Sequence, residues 1–239
     1  MCGRLNVTDN PAVRSLCDQL EIDLWPQEGM RFSRFIRATE RLTIVFEHEH
    51  QRIARNAIWW LLLERDHGQP NGRFKPSRYT SFNTRYDKLN VPRSAGYHAY
   101  RQHRCVIPAA GFGETQKKGS RLHYHDLVAD QSAPLAMGGL YREWHGRDRH
   151  GHAYTETSCS VVTLPSHPKL SNIHQKSTPL MLSAKDGSLN RWLDSGTKDP
   201  ALLEDLLTPK IRHSLTVYPI NKPSLYETVG EPYTVAPDV

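Results

Sequence analysis

The second residue of the chain is a cysteine, and its position suggests covalent chemistry. Initiator methionine is normally removed when the second residue is small, so Cys2 would carry a free α-amine beside its thiol. With pKa values of roughly 8 and roughly 8.5, both groups of this 1,2-aminothiol can act as nucleophiles near neutral pH. The amine condenses with an aldehyde to an imine, and the thiol closes on the imine carbon to give a five-membered thiazolidine. Gly3 would let the backbone approach such a substrate closely.

Three other roles for Cys2 stay open on these residues alone: the nucleophile of an N-terminal amidohydrolase, a palmitoylation site, or no chemical role. The remaining cysteines are Cys17, Cys105 and Cys159, and the sequence has no CxxC pair. This spacing argues against a secreted disulfide framework and against a structural zinc site. We therefore expect the chain to work in a reducing compartment.

Four short blocks of sequence add to the cysteine. They are residues 1–4 (MCGR), 81–85 (SFNTR), 104–114 (RCVIPAAGFGE) and 173–174 (IH), in this order. Together they resemble the ordered signature of the SOS-response-associated peptidase (SRAP) family, whose members cross-link themselves to abasic sites in single-stranded DNA. The resemblance extends from Cys2 to about Asn221. An abasic site in its ring-opened form is an aldehyde, which is the substrate that a 1,2-aminothiol would trap.

The resemblance implies roles for four residues. Cys2 corresponds to the cross-linking residue, and Asn83 to an asparagine that positions the N-terminus and the opened sugar through its amide. Glu114 and His174 correspond to the catalytic glutamate and histidine, which can move protons near pH 7 without a metal. We assign Glu114 to proton transfer at the amine and imine, and His174 to proton transfer at the sugar oxygen. No metal and no small-molecule cofactor is expected.

Basic residues are the expected DNA contacts. Residues 31–41 interleave four arginines with two phenylalanines, and single-strand binders combine arginines that hold phosphates with aromatic faces that stack bases. The alternative is an amphipathic segment with solvated arginines and core phenylalanines. By correspondence with the family, or by their place in these segments, the cations assigned to DNA are Arg4, Arg34, Arg85, Arg93 and Lys176.

The chain departs from the family pattern at three places. Where the family often has Gly-Phe-Tyr-Glu-Trp, this chain has Gly113 and Thr115 on either side of Glu114 and so loses two aromatic residues. After His174, the usual His-x-Arg-x-Pro is one residue longer and has Lys176 for the arginine, which keeps the charge but loses the bidentate fork. A loop of the Asn-Val-Ala-Pro type is replaced at residues 33–36. None of these changes removes a catalytic group.

The composition of the chain limits its expected binding partners and its expected cellular location. Lysine and arginine exceed aspartate and glutamate by 31 to 25, which gives a net charge of +6 and modestly favours a polyanionic partner. The longest apolar run, residues 57–63, is far shorter than the ~20 residues of a membrane span, and the N-terminus has no apolar signal region. We expect a cytoplasmic monomer that does not contact membranes, that binds single-stranded DNA containing abasic sites and that associates with the nucleoid when bound.

The elements that must position these residues form one α+β domain over residues 1–239, with a curved or barrel-like mixed sheet and a few flanking helices. A first helix begins at Pro11 after a cap at Asp9 or Asn10, and Cys17 lies on its buried stripe. Two later helices are expected near 185–193 and from Pro200. Strands are predicted at 42–47, 105–108, 122–128, 135–141, 155–164 and 215–220.

Three further predictions concern local structure. Residues 64–79 are predicted to be a long surface loop, and 146–151 the tip of a hairpin. Of Trp59 and Trp60, one should face the core, because neighbouring strand residues point to opposite faces. His123 and His125 would offer two imidazoles on one strand face, but no third ligand has a suitable spacing, so no metal site is expected.

Three functions remain in competition. The first is a protein that caps abasic sites covalently. The second is a thiol autopeptidase or peptidase in which Cys2 attacks peptide bonds with Glu114 and His174 assisting. The third is a single-stranded DNA-binding module whose aminothiol is incidental. The positive charge and the arginine-aromatic segment favour DNA, since a general peptidase has no need of them.

Overall fold

The computed structural model describes residues 3–66, 73–130, 135–148 and 150–238, so Cys2 lies outside the described residues. Its α-helices are α1 (Pro11–Gln19), α2 (Tyr97–Gln102) and α3 (Ser188–Leu193), and 3₁₀ helices cover Tyr86–Lys88, Pro168–Leu170 and Pro200–Leu207. Its strands are β1 (Arg4–Val7), β2 (Ser33–Arg37), β3 (Arg41–His48), β4 (Gln51–Trp59), β5 (Leu63–Arg65), β6 (Phe74–Pro76), β7 (Asn83–Arg85), β8 (Arg104–Ala109), β9 (Gly111–Lys118), β10 (Arg121–Ala129), β11 (Leu135–Arg147), β12 (Ala153–Leu164), β13 (Thr178–Pro179), β14 (Met181–Leu182), β15 (Leu215–Ile220) and β16 (Tyr233–Val235).

Five strands close into a barrel in the order β12, β4, β3, β8 and β11. Closure follows because β11 pairs with β8 on one side and with β12 on the other. The β12–β4 interface is parallel while the other four are antiparallel, so the barrel is mixed. The predicted α+β class with a barrel-like mixed sheet is confirmed.

A second, six-stranded sheet has the order β16, β15, β10, β9, β1 and β2. It packs against the barrel through apolar residues that alternate along its strands. Leu5, Phe112 and Leu127 belong to the same buried cluster as Ile44 and Phe46 of the barrel. The opposite faces of the barrel strands pack under α1, α2 and α3 in another cluster, so both faces of the barrel wall are covered.

The expected local elements are largely present. The Asn10 side chain accepts a hydrogen bond from the Val13 amide and caps α1, which begins at Pro11. All six predicted strands occur. Strands β11 and β12 pair as a hairpin at the predicted tip, of which residue 149 lies outside the described residues. Trp59 is fully buried while Trp60 is half-buried. The helix expected near 185–193 is shorter than predicted, since α3 begins at Ser188. The helix expected from Pro200 is a 3₁₀ helix.

Two expectations are corrected. Residues 64–79 are not simply a loop, because β5 and β6 pair as an antiparallel hairpin on either side of 67–72, which lie outside the described residues. The Phe74 ring packs 5.8 Å from that of Trp144 and 5.9 Å from that of Tyr154, which anchors the hairpin. Cys17 is half-buried rather than a core residue, with its Sγ 3.9 Å from Sδ of Met30.

None of the helices in the described parts of the chain is both long and apolar enough to cross a bilayer.

Candidate active site

Glu114 lies where strand β9 leaves the protein interior. Residues 111–114 are buried, whereas Thr115 and the residues after it are exposed or half-exposed. The Glu114 side chain is 3% exposed. Burial raises its pKa from 4.5 to about 7, because desolvation disfavours the charged carboxylate. Near neutral pH the carboxyl is therefore present as acid and as base in comparable amounts, which suits proton transfer.

His174 is carried by a short segment that follows the 3₁₀ helix Pro168–Leu170. Its amide donates a hydrogen bond to the Leu170 carbonyl oxygen at 2.8 Å. The Ser166 hydroxyl donates to the carbonyl oxygen of His174, also at 2.8 Å. These two bonds fix the backbone at His174, and the buried side chain of Ile173 ties the segment to the core.

The structure brings the side chains of Glu114 and His174 together. Nδ1 of His174 lies 3.6 Å from Oε2 of Glu114, which is within electrostatic reach but longer than a hydrogen bond. Burial lowers the pKa of His174 to about 4, and the positive charge of Lys176 acts in the same direction. At pH 7 the imidazole is neutral and can accept a proton, while Glu114 can donate or accept one. Titratable groups whose pKa values are pushed apart can take complementary acid and base roles.

Asn83 is brought to the barrel by the short strand β7, which pairs in parallel with β12. The buried hydroxyls of Thr84 and Ser160 share a hydrogen bond at 2.7 Å and fix this strand. Because strand residues alternate, Asn83 and Arg85 lie on the other face from Thr84. Both line a cavity of about 380 Å³. Strand β12 then continues toward the segment that carries His174.

Arg4 does not lie on the surface with the other assigned cations. Its side chain is 8% exposed. Its Nη2 donates to Oδ1 of Asp126 at 3.2 Å and to the carbonyl oxygen of His125 at 3.1 Å. The contacts of the Arg4 guanidinium therefore include a buried carboxylate, and its assignment to a DNA phosphate stays a prediction.

A family model described as SOS response associated peptidase (SRAP) matches residues 1–223, which is nearly the whole chain. The chain belongs to the SRAP family. Membership supports a role related to DNA damage, and the term peptidase in the description of the family indicates an enzyme. No curated protein matches the chain significantly.

Solved structures resemble this SRAP protein in fold. A protein from Bacteroides thetaiotaomicron has 16% sequence identity and a TM-score of 0.69, with 95% of each chain covered. A protein from Bordetella bronchiseptica has 16% identity and a TM-score of 0.68, covering 92% of this chain and all of its own length. A phage-related protein from the same organism has 18% identity and a TM-score of 0.59, covering 92% of this chain and 95% of its own. At these identities the likeness concerns the fold alone.

Four of the five cations assigned to DNA are exposed in this SRAP protein: Arg34, Arg85, Arg93 and Lys176. The Arg85 guanidinium donates to both carboxylate oxygens of Asp87, at 2.9 and 2.8 Å. A phosphate can replace such an exposed ion pair at small cost, because surface pairs contribute little free energy. Contact of these four side chains with DNA stays a prediction.

The arginine-aromatic segment of the SRAP chain forms the edge strand β2 and its flanks. Phe32 is 45% exposed and Phe35 is half-buried, so these phenylalanines are not core residues as the amphipathic alternative required. The guanidinium of Arg37 lies 5.7 Å from the centre of the Phe35 ring. Exposed rings beside arginines suit the stacking of unpaired bases.

Sequence reasoning missed two residues near this site, Asp126 and Tyr226. Asp126 is 2% exposed and falls within the predicted strand 122–128, where an acidic residue on a core-facing strand was an available signal. Tyr226 follows the last predicted strand and no local pattern marks it. Within the described residues, no three His, Cys, Asp or Glu side chains are grouped as metal ligands.

Proposed function

We propose that this protein captures abasic sites in single-stranded DNA by forming a covalent bond through Cys2. The observation that carries the proposal is the approach of His174 to the buried Glu114 carboxyl, which lies on the strand next to β1. Strand β1 begins two residues after Cys2 and pairs with β9, the strand that carries Glu114. The proposal therefore joins an N-terminal aminothiol to an acid–base pair whose pKa values suit proton transfer near pH 7.

The reaction begins with opening of the cyclic sugar. The proton of the C1′ hydroxyl is removed and the ring oxygen is protonated, which gives the C1′ aldehyde. His174 is neutral at pH 7 and can accept a proton in this step. Its place beside Glu114, which can return a proton, lets the two residues exchange roles if the reaction reverses.

The later steps join the aldehyde to Cys2. The α-amine adds to C1′, and the resulting carbinolamine loses water to form an imine when its hydroxyl is protonated by Glu114. The thiol sulfur then bonds to C1′, and the thiol proton moves to the nitrogen. One C–N and one C–S bond form and one water is released, so no oxidant, reductant or metal is consumed.

DNA binding in this proposal rests on exposed basic and aromatic side chains. The net charge of +6 and the exposed cations supply attraction for phosphates, while Phe32 and Phe35 supply stacking surfaces. The Asn83 side chain lines the cavity beside Arg85, and an amide carries both the donor and the acceptor groups that suit contact with the opened sugar.

Intact-mass spectrometry tests the proposal. Wild type, Cys2→Ser and Glu114→Gln are incubated with a single-stranded oligonucleotide that carries one abasic site, and with the same oligonucleotide lacking it. We expect wild type without Met1 to gain the mass of one oligonucleotide less one water, Cys2→Ser to gain nothing stable to denaturation, and Glu114→Gln to react slowly. An unmodified wild type that has lost Met1 would overturn the proposal.

Peptide-bond cleavage is the second candidate, favoured by the description of the family as a peptidase. The neutral imidazole of His174 and the Glu114 carboxyl, whose pKa is raised, would then activate the Cys2 thiol toward a peptide carbonyl. Cleavage of a peptide substrate by wild type, lost in Cys2→Ser, together with no DNA adduct, would place this candidate first. Salt-sensitive DNA binding with neither activity would favour the non-covalent binding module.

A further inference from the structure

Three residues form a row across neighbouring strands. Strands β1 and β9 pair at Arg4 and Gly113, and β9 and β10 pair at Gly113 and Asp126. Side chains in such a row lie on one face of the sheet. Arg4 therefore reaches Asp126 across the middle strand, and only a residue without a side chain leaves room for it.

Gly113 supplies that room. A Cβ atom built on Gly113 would overlap the Cζ, Nε and Nη2 atoms of Arg4. The guanidinium thus occupies the space where the related pattern Gly-Phe-Tyr-Glu-Trp has a tyrosine side chain. Glycine at position 113, where the chain departs from the family pattern, therefore leaves the space that the buried Arg4 side chain fills.

Asp126 completes the row and connects it to the C-terminal part of the chain. Its Oδ1 accepts a hydrogen bond from Arg4, and its Oδ2 accepts one from the Tyr226 hydroxyl at 2.8 Å. With 2% exposure, this side chain is costly to bury unless such contacts compensate its lost hydration. Tyr226 is thus part of what keeps Arg4 in place.

The backbone at Tyr226 indicates that its position is imposed. Its φ of 58° is left-handed, which is uncommon for an aromatic residue. Its amide donates to the Lys222 carbonyl oxygen at 2.9 Å, and the Arg34 guanidinium lies over its ring. A strained backbone persists only where surrounding contacts hold it. Tyr226 also lies beyond residues 1–223, the part matched to the family.

We propose that Asp126 and Tyr226 are positioning residues that lock Arg4 over Gly113 and so fix the start of β1, two residues after Cys2, for cross-linking. The inference rests on the proposed function. In this arrangement Arg4 serves the geometry of the N-terminus and not a DNA phosphate. Misplacement of a reacting group by about 1 Å can cost on the order of a hundredfold in rate. The contacts of Asp126 and Tyr226 that hold Arg4 therefore affect the rate of the covalent step.

The test compares Tyr226→Phe with a matched control, Tyr233→Phe. Each variant loses one hydroxyl from the C-terminal segment, but the Tyr233 hydroxyl contacts the Asn172 amide and not Asp126. Two quantities are measured: the cross-linking rate at saturating abasic oligonucleotide, and the Kd for that oligonucleotide in a Cys2→Ser background. We expect Tyr226→Phe to lower the rate roughly tenfold and to leave Kd and its salt dependence unchanged, while Tyr233→Phe changes neither.

Paired charge removal adds a second arm. Asp126→Asn leaves the Arg4 guanidinium buried without its carboxylate, whereas the double variant Arg4→Gln/Asp126→Asn replaces the ion pair by two neutral amides. We expect the double variant to cross-link faster than Asp126→Asn. Thermal unfolding of each variant measures the stability of the whole fold, and hydrogen exchange of the β1 amides measures that of β1. Together they show which of the two losses accompanies a lower cross-linking rate.

The outcomes separate this inference from the proposed function. If wild type forms no adduct, the proposed function fails and the positioning role with it. If wild type reacts and Tyr226→Phe reacts equally fast, the positioning role alone fails. If Asp126→Asn or Tyr226→Phe weakens binding and flattens its salt dependence at an unchanged saturated rate, Arg4 acts as a phosphate contact and the positioning role is overturned.

Discussion

The raised pKa of Glu114 makes the stability of the fold depend on pH, and a glutamine at this position should remove that dependence. The carboxyl ionises near 4.5 in the unfolded chain and near 7 in the folded protein. The stability that the protonated carboxyl contributes is therefore fully present below pH 4.5 and is lost as the pH rises through 7. The complete loss amounts to about 3 kcal/mol, since one pKa unit corresponds to about 1.4 kcal/mol.

Urea unfolding of wild type and Glu114→Gln measures this contribution. Glutamine has nearly the same size but cannot ionise, so the unfolding free energy of the variant minus that of wild type should rise by roughly 2.5 kcal/mol between about pH 5 and about pH 9. Subtraction removes the contribution of His174, whose pKa is lowered to about 4. That contribution has the opposite sign, because it is present above pH 6.5 and is lost as the pH falls toward 4.

Glu64→Gln is the matched control, because Glu64 lies exposed in strand β5. Its difference from wild type should stay within about 0.5 kcal/mol, as is usual for surface substitutions. A difference for Glu114→Gln that stays flat from about pH 5 to about pH 9 would refute the reasoning that burial holds this carboxyl protonated.

Three further predictions concern catalysis, binding and stability. His174→Ala should slow cross-linking about a hundredfold at saturating DNA, as loss of an acid–base group does; denaturing gels measure this, and an unchanged rate would remove His174 from the mechanism. Arg85→Ala should weaken binding equally for all sequences and reduce the salt slope by about 0.7 in anisotropy titrations of Cys2→Ser; a sequence-selective loss would count against a phosphate contact. Arg104→Met should lower the unfolding free energy by about 3 kcal/mol in urea, because the buried guanidinium donates to five backbone carbonyl oxygens; a loss below about 1 kcal/mol would show that these carbonyls find other donors.

Local sequence patterns predicted the elements that have a capping signal or a regular spacing of apolar residues. The Asn10 cap and Pro11 marked the start of α1, and the alternation over residues 122–128 marked β10. Strand β9 has no such pattern, because Gly111 and Gly113 have low strand propensity and its second half is polar. The β5–β6 hairpin was missed for a similar reason, since Gly, Pro and charged residues surround Phe74.

The candidate site was less accessible to sequence reasoning than the fold. The aminothiol of Cys2 could be derived from chemistry, but the choice of Glu114 and His174 came from the family resemblance. Their contact joins residues that are 60 positions apart in the sequence. Asp126 and Tyr226 are 100 positions apart, and neither the spacing nor the residue types predict that they meet. Such contacts depend on sheet register, which one sequence does not reveal.

Closure of the barrel also sets an order for folding. The β11–β12 hairpin joins neighbouring segments, but the parallel β12–β4 pairing brings Ser158 opposite Ile58 and must close a loop of about 100 residues. Contacts of this range form slowly. Because β7 pairs only with β12 among the described strands, the strand carrying Asn83 has no partner until β12 has been synthesised. We infer from the proposed function that a growing chain without Met1 presents the Cys2 aminothiol to cellular aldehydes before β12 and His174 have been synthesised to complete the site.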